Sequence, residues 1–372
     1  MRASESMSNP QTAQEDTKEP DLRKLRLVAW ESTRACKFSC KHCRATAQTS
    51  PDPKQLSTSE IKGLIDDISR LVKPILIITG GDPLLRDDVY EIAEYATDRG
   101  LHVAMALNGQ VDRETASAIR SAGVKRVSLS LDGSKPSIHD EFRGIEGAFE
   151  MAMRTAESVK AEDLPFRILT TVTKHNIHDL TDIHKLVTDL GAENWDVFML
   201  VPTGRARSDM EVTPAEYETV LRFVRDLSRK SGIPVKLTCA PHYNRLMLQS
   251  KGLGESSYTN ICQEMTRLKI GRGCLAGDGF CFISHEGEVY GCGYLPISGG
   301  NIRKKRFSEI YTSSPFFIQL RDRRLLKGKC RICAFREACG GCRARAYSIF
   351  NDFLAQEPYC TYEPSATGQS KG

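Results

Sequence analysis

The chain has 372 residues, 40% of them hydrophobic and 27% charged, with a net charge of +5. That length fits one large domain plus a smaller one, with enough apolar content for a packed core. No apolar run approaches the roughly 18 residues of a membrane span, and the opening MRASESMSNPQTAQEDTKEPD lacks the apolar segment of a signal peptide. Thirteen cysteines in such a chain point to a reducing, cytoplasmic setting and to metal ligation instead of disulfides. Residues 1–24 and 365–372 are polar and are expected to be disordered tails.

The first element is LRLVAWEST (25–33), an apolar run that reads as a strand. It feeds ACKFSCKHCRA, in which Cys36, Cys40 and Cys43 follow a Cys-x3-Cys-x2-Cys spacing. Three thiolates can hold three irons of a four-iron cluster and leave the fourth open to a small molecule. A zinc knuckle completed by His42 or a distant cysteine is the alternative. A helix follows from Ser57, where Ser57 and Glu60 form a capping-box pattern, toward Val72. ILIITGGDPLL (75–85) is a second strand, ending in Gly80, Gly81, Asp82 and Pro83. Glycines at a strand end permit close backbone approach, here expected toward a ligand, and the carboxylate can accept from an amine.

Helix and strand then alternate: helix 88–99, strand 102–109, helix 112–122, strand 126–133, a helix opening at GAFEMAMRTAESVK, strand 166–173, helix LTDIHKLVTDLG, strand 196–201 and helix TPAEYETVLRFVRDLSRKSG. Six such units predict an α/β fold of parallel strands with crossover helices, as a doubly wound sheet or a partial barrel. Functional groups are expected at the C-terminal strand ends, where Asn108, Ser130, Asp132 and Thr171 stand.

The composition changes after residue 235. Residues 25–235 are read as a core domain, 236–270 as a bridge and 271–364 as a cysteine-rich domain. Cys330-x2-Cys333-x5-Cys339-x2-Cys342 is followed by Cys360 and preceded by Cys274, Cys281 and Cys292, the last at the end of the hairpin-like FISHEGEVYGC. A four-cysteine zinc ribbon explains only four of these. Cys239 and Cys262 read as small packing residues. Between Arg303 and Arg345, 13 Lys/Arg face 3 Asp/Glu, a local balance of 13 − 3 = +10 that suits a polyanionic ligand. No aromatic-interleaved basic motif of an RNA-binding module accompanies it, so no nucleic-acid partner is expected.

The strand, cysteine triplet, helix and GGDP strand together resemble the radical S-adenosylmethionine (SAM) superfamily. The resemblance implies a partial (β/α)6 barrel, a SAM-binding 4Fe-4S cluster on Cys36, Cys40 and Cys43, and SAM contacts from Gly80, Gly81 and Asp82. It further suggests Ser130 and Asp132 for the ribose or methionine part and Arg143 for the SAM carboxylate. Two positions depart from the family pattern: His42 replaces an aromatic residue, and Asp82 replaces Glu. The C-terminal cysteines resemble the SPASM/Twitch extension. That implies an auxiliary cluster on Cys330, Cys333, Cys339 and Cys360, and a second set of Cys274, Cys281, Cys292 and Cys342. The two residues between Cys339 and Cys342 are one fewer than the family usually has.

The stretches LRLVAWESTRACKFSCKHCRA, ILIITGGDPLLRDD, VPTGRA, TCAPHYNR, RGCLAGDGFCFISHEGEV, CGGCRARAY and EPYC are similar to the SAM-dependent heme synthases of the siroheme route. That similarity, over roughly residues 25–364, implies an enzyme acting on iron-coproporphyrin III. Two propionates would become vinyl groups, giving heme b, carbon dioxide, 5′-deoxyadenosine and methionine. A flavodoxin or ferredoxin is the expected electron donor, and the acceptor is unassigned. Arg205, Arg207, His242, Tyr243, Arg343 and Arg345 are the candidate porphyrin contacts. The rival readings are a sister enzyme acting on a siroheme derivative or in heme d1 synthesis, a peptide-modifying SPASM enzyme, and a zinc-stabilised binding protein.

Overall fold

A computed structural model describes residues 24–253 and 257–364. Both tails expected to be disordered lie outside the described residues, apart from Lys24.

The elements in chain order are β1 (Leu27–Glu31), α1 (Thr58–Leu71), β2 (Ile75–Thr79), α2 (Val89–Asp98), β3 (His102–Leu107), α3 (Arg113–Ser121), β4 (Arg126–Ser130), α4 (Pro136–Arg143), α5 (Ala148–Ala161), β5 (Phe166–Val172), α6 (Leu180–Leu190), β6 (Asn194–Met199), α7 (Pro214–Leu227) and β7 (Val235–Thr238). There follow α8 (Tyr243–Gln249), α9 (Tyr258–Arg267), β8 (Phe280–Ile283), β9 (Glu288–Cys292), β10 (Leu295–Asn301), α10 (Phe307–Ser313), α11 (Pro315–Arg321), α12 (Gly328–Ile332) and α13 (Arg343–Phe350).

The helices begin where local chemistry starts them. Ser57 and Glu60 cap α1 reciprocally, Thr213 and Glu216 do the same for α7, and Asp112 accepts from the Thr115 amide at the head of α3. Each satisfies backbone donors that the first helical turn leaves free.

Among the described residues, all ten strands join one sheet, in the order β10-β9-β8-β1-β2-β3-β4-β5-β6-β7. β1 through β7 are mutually parallel, as the crossover helices require. The sheet curls into a half-barrel. Its core includes Val28, Trp30, Ile78, Met105, Val127, Ile168, Trp195 and Val197, packed against Ile61, Ile92, Ile119, Val159, Ile183 and Leu221 of the helices. The six predicted parallel strands are present. Within the barrel, two elements escaped the sequence reading: the short, half-exposed β7 and the eight-residue α4. The extension also shares the barrel's sheet. β8 pairs in parallel with β1, covering an edge whose Val28, Ala29 and Trp30 are all buried. β9 and β10 continue from it antiparallel, so the sheet passes from one half of the chain into the other without a break.

Candidate functional site

The loop after β1 places Cys36, Cys40 and Cys43 at the C-terminal mouth of the half-barrel. Cys36 and Cys40 are buried and Cys43 is half-buried. Backbone amides point at two of the sulfurs, Phe38 N at Cys36 Sγ (3.3 Å) and Ala47 N at Cys43 Sγ (3.5 Å). The end of β6 braces this loop. The Arg205 amide donates to Cys43 O at 3.0 Å, and its guanidinium donates to Cys40 O at 3.0 Å and Ala47 O at 3.4 Å. Arg205 Nη2 is buried and meets no protein partner.

Gly80 and Gly81 end β2, and the backbone they approach is the chain's own. The Gly81 amide donates to Thr33 O and the Asp82 amide to Ala35 O, both at 2.7 Å. A methyl group at Gly80 would run into Thr33 O, and one at Gly81 into Ala35 O. The glycines therefore lock the cysteine loop onto β2, a tighter constraint than the ligand approach expected from sequence. Asp82 is buried, which raises its carboxyl above the usual range although the Leu84 amide, Lys37 and the Gly109 amide pull it down.

Asp132 and Arg143 form a buried pair beneath the cysteines. Arg143 Nη1 donates to Asp132 Oδ2 (3.4 Å) and Nη2 to Asn108 Oδ1 (3.1 Å), while Asn108 donates to Gly81 O. Asp132 Oδ1 accepts from the Thr171 amide at 2.7 Å. Both carboxylate oxygens are thus engaged by protein, so Asp132 fixes Arg143 in place. Ser130 stands half-buried at the end of β4. The Arg143 cation sits close enough to Cys36 and Cys40 to favour their ionised forms. Burial nevertheless pushes Cys36 up to about 11 and raises Cys40. Metal binding there would release protons, and buried guanidinium charge suits the anionic cluster that results.

His42 stacks on Phe142 with ring centroids 4.3 Å apart and planes 2° from parallel. Burial, with Arg143 and Arg205 adding to it, lowers its pKa to about 3. The ring is neutral and presents a flat stacked face.

The extension gathers two further thiol sets. Cys330, Cys333, Cys339 and Cys360 line one solvent-open recess, together with Arg245, Lys329 and Arg336. The amides of Glu357 and Gly341 point at Cys330 Sγ (3.3 Å) and Cys339 Sγ (3.4 Å). Gly340 and Gly341, with φ of 68° and 65°, make the sharp turn that carries the chain away from this recess within two residues. Cys342 then joins a second group that packs Cys239, Cys274 and Cys292 against Val201, Leu295 and Ala344. The expected member Cys281 is absent from it. Cys281 lies on β8, fully buried in the main hydrophobic core beside Tyr311 and Arg321, because the alternation of that strand points it at the helices. Cys239, read from sequence as a packing residue, stands in its place: its thiol is hydrogen-bonded to Cys342. That bond draws Cys342 down to about 7 and pushes Cys239 up. Cys262 belongs to α9 and to none of these sets.

Among the described residues, no three thiols have all their sulfurs within 4.8 Å of one another; the group that meets this criterion is Asp52, His285 and Glu286. Thiolates around one zinc at 2.3 Å would stand ~3.8 Å apart.

The porphyrin candidates divide. Arg343 and Arg345 are almost fully buried and bonded inside the protein, Arg343 to Phe353 O and Ala355 O, Arg345 to Glu211, Cys239 O and Leu200 O. His242 is also fully buried, 4.5 Å from the Tyr217 ring. These three sit in the wall between barrel and extension and cannot reach a porphyrin without rearrangement. The two guanidinium groups are spent on hydrogen bonds inside that wall, which sequence could not reveal. Arg205 and Tyr243 are half-buried, and Arg207 is exposed and paired with Asp209.

Residues 30–187 match the family model of the Radical SAM superfamily, and residues 274–342 that of SPASM, an iron–sulfur cluster-binding domain. The chain is 46% identical over 343 residues to a Methanosarcina barkeri protein named AdoMet-dependent heme synthase, covering 91% of this chain and 97% of the relative. It is 31% identical to the Fe-coproporphyrin III synthase of the same organism, over 90% of this chain and 87% of that one. Its fold resembles Streptococcus suis SuiB bound to S-adenosylmethionine, with a TM-score of 0.72 at 14% identity over 91% of this chain and 77% of that chain.

Proposed function

The chain belongs to the radical SAM superfamily, in the SPASM-bearing family that includes AdoMet-dependent heme synthases, and on that premise we propose that it decarboxylates two propionates of Fe-coproporphyrin III to vinyl groups, giving heme b. It is an enzyme whose cofactors are SAM and 4Fe-4S clusters. The observation that carries the substrate assignment is the 46% identity to the heme synthase over nearly the full length of both chains, against 31% for the Fe-coproporphyrin III synthase.

When bound, SAM and its cluster would supply the hydrogen-atom abstraction that opens the propionate side chain to decarboxylation. In our reading Cys36, Cys40 and Cys43 hold that cluster, and Arg143 and Arg205 supply the buried positive charge beside it. Gly80, Gly81 and Asp82 fix the loop against β2, and His42 offers a neutral flat face. Each propionate gives up one hydrogen atom, one carbon dioxide and one electron, so the reaction needs an electron exit. Cys330, Cys333, Cys339 and Cys360 are our assignment for the auxiliary cluster that serves it, with a flavodoxin or ferredoxin as the donor that starts the cycle. Arg205, Arg207 and Tyr243 are the remaining candidates for the carboxylates of the porphyrin, which arginine suits by paired hydrogen bonds.

An anaerobic assay of reconstituted protein with SAM, reductant and Fe-coproporphyrin III, read by mass spectrometry, tests this. The expected result is loss of two formic-acid equivalents per porphyrin in step with 5′-deoxyadenosine. SAM cleavage with an intact porphyrin would overturn the substrate assignment and turn the search to other tetrapyrroles of the pathway.

A further inference from the structure

We propose that Asp52, His285 and Glu286 form a site for a divalent cation of the zinc type, which ties the loop after the cysteine triplet to the β8–β9 turn. The site contains no thiol and lies outside the groups assigned to SAM, the iron–sulfur clusters and the porphyrin.

The ligand atoms come from two distant parts of the chain. Asp52 stands in the loop between Cys43 and α1, and His285 and Glu286 follow β8. One oxygen of each carboxylate and one ring nitrogen lie within 4.8 Å of one another. His285 is only 1% exposed, and its Nε2 is buried without a hydrogen-bond partner. That nitrogen is aimed into the cluster, 3.4 Å from Asp52 Oδ2 and 3.8 Å from Glu286 Oε1. Nitrogen and oxygen ligands held about 2.0–2.1 Å from a tetrahedral zinc stand ~3.3 Å apart, so the spacing already suits one ion.

The surroundings set the ring for ligation. Glu31 Oε2 lies 2.8 Å from His285 Nδ1, and a carboxylate there can only accept, so Nδ1 carries the proton. Nε2 of the neutral ring then presents its lone pair to the cluster, the carboxylate–histidine–metal arrangement that fixes tautomer and ring orientation. Asp52 is also preset. Its Oδ1 accepts from the Lys54 amide at 2.9 Å, which leaves Oδ2 to face the ring, and the Leu56 amide donates to His285 O at 2.7 Å. Glu31 has cations of its own, Arg44 at 3.1 Å and Arg34 at 3.6 Å. The charge of Asp52 and Glu286 is met more weakly. Lys54 reaches Glu286 at 3.9 Å on a side chain that is 74% exposed, and Arg303 is paired with Glu60. Three protein ligands leave a fourth position for water, and Glu286, 36% exposed, opens the site to solvent.

The test uses the full chain with its iron–sulfur clusters reconstituted anaerobically, without porphyrin. It is equilibrated with zinc and desalted, metals are counted by mass spectrometry, and zinc is examined by X-ray absorption. The parent is expected to keep about one zinc per chain, with a nitrogen and oxygen shell at about 2.0–2.1 Å and no sulfur shell at about 2.3 Å. Asp52→Asn and Glu286→Gln are expected to weaken zinc binding by roughly tenfold or more while iron content and circular dichroism match the parent. Zinc with a sulfur shell would belong to the thiols and overturns the proposal. Unchanged zinc in both variants does so too. A parent that keeps no zinc also overturns it and leaves His285 as a charged imidazole between Glu31 and Asp52. None of these outcomes depends on which substrate the enzyme takes.

Discussion

His42 shows how its surroundings fix the state of a single side chain. An imidazole surrounded by Phe142, Arg143 and Arg205 cannot charge, because water is excluded and the nearest charges are positive. What remains is a flat ring stacked on Phe142. His42→Phe is therefore expected to cleave SAM within about threefold of the parent, whereas His42→Ala loses a stacked pair worth ~1 kcal/mol and should be slower by roughly fivefold. The rate of 5′-deoxyadenosine formation reads both. A titration of His42 between pH 6 and 8 in the parent would count against the stack. The grouping of Cys36, Cys40 and Cys43 was legible because one short loop carries all three. Arg343, Arg345 and His242 were misjudged as substrate contacts because their surroundings come from residues up to 146 positions away.

At the scale of elements, the end of β2 decides how the cysteine loop is held. Gly81 lies so close to Ala35 O that a side chain has no room, and backbone cannot give as a flexible side chain would. Gly81→Ala is expected to cost about 2 kcal/mol or more and to lower the occupancy of the first cluster. Gly63 in α1 has nothing within 4 Å of an added methyl group, so Gly63→Ala should stabilise by ~0.5–1 kcal/mol, as removing a helical glycine does. Urea midpoints and iron content of the two variants separate packing from general tolerance. Strands β1 through β6 were readable from their apolar runs. β7 was not, since Val235–Thr238 has half-exposed residues and joins the sheet only because β6 offers an edge. The short Cys339–Cys342 spacing is resolved at this scale too. Two left-handed glycines reverse the chain, so adjacent cysteines serve different sets.

For the whole molecule, the joint between barrel and extension is a set of buried charges. Glu31, at the end of β1, accepts from Arg44 at 3.1 Å and from His285 Nδ1 of the β8–β9 turn at 2.8 Å. Burial alone would raise its pKa; the His285 hydrogen bond and the Arg44 and Arg34 charges overcome it and hold Glu31 at about 2. A carboxylate depressed below its usual 4.5 contributes stability that is complete above that pH and lost as the pH falls through about 2. The contribution is roughly 3 kcal/mol. Glu31→Gln should start less stable at neutral pH, with Arg44 and His285 left without their anion, and show a flatter loss of stability below pH 4.5. Urea denaturation of the iron-stripped chain across that range measures it; equal slopes for parent and variant would mean that Glu31 does not carry the acid response. By itself the sequence determined the alternation of strands and helices, the loop that gathers Cys36, Cys40 and Cys43, and the family, because each depends on neighbours within a few tens of residues. Only the tertiary structure decided which distant cysteines meet, which arginines are buried in the seam, and that β8 extends the barrel's own sheet. Those outcomes follow from strand pairing and from the direction each Cβ takes off its strand, and neither is written in the spacing of one segment.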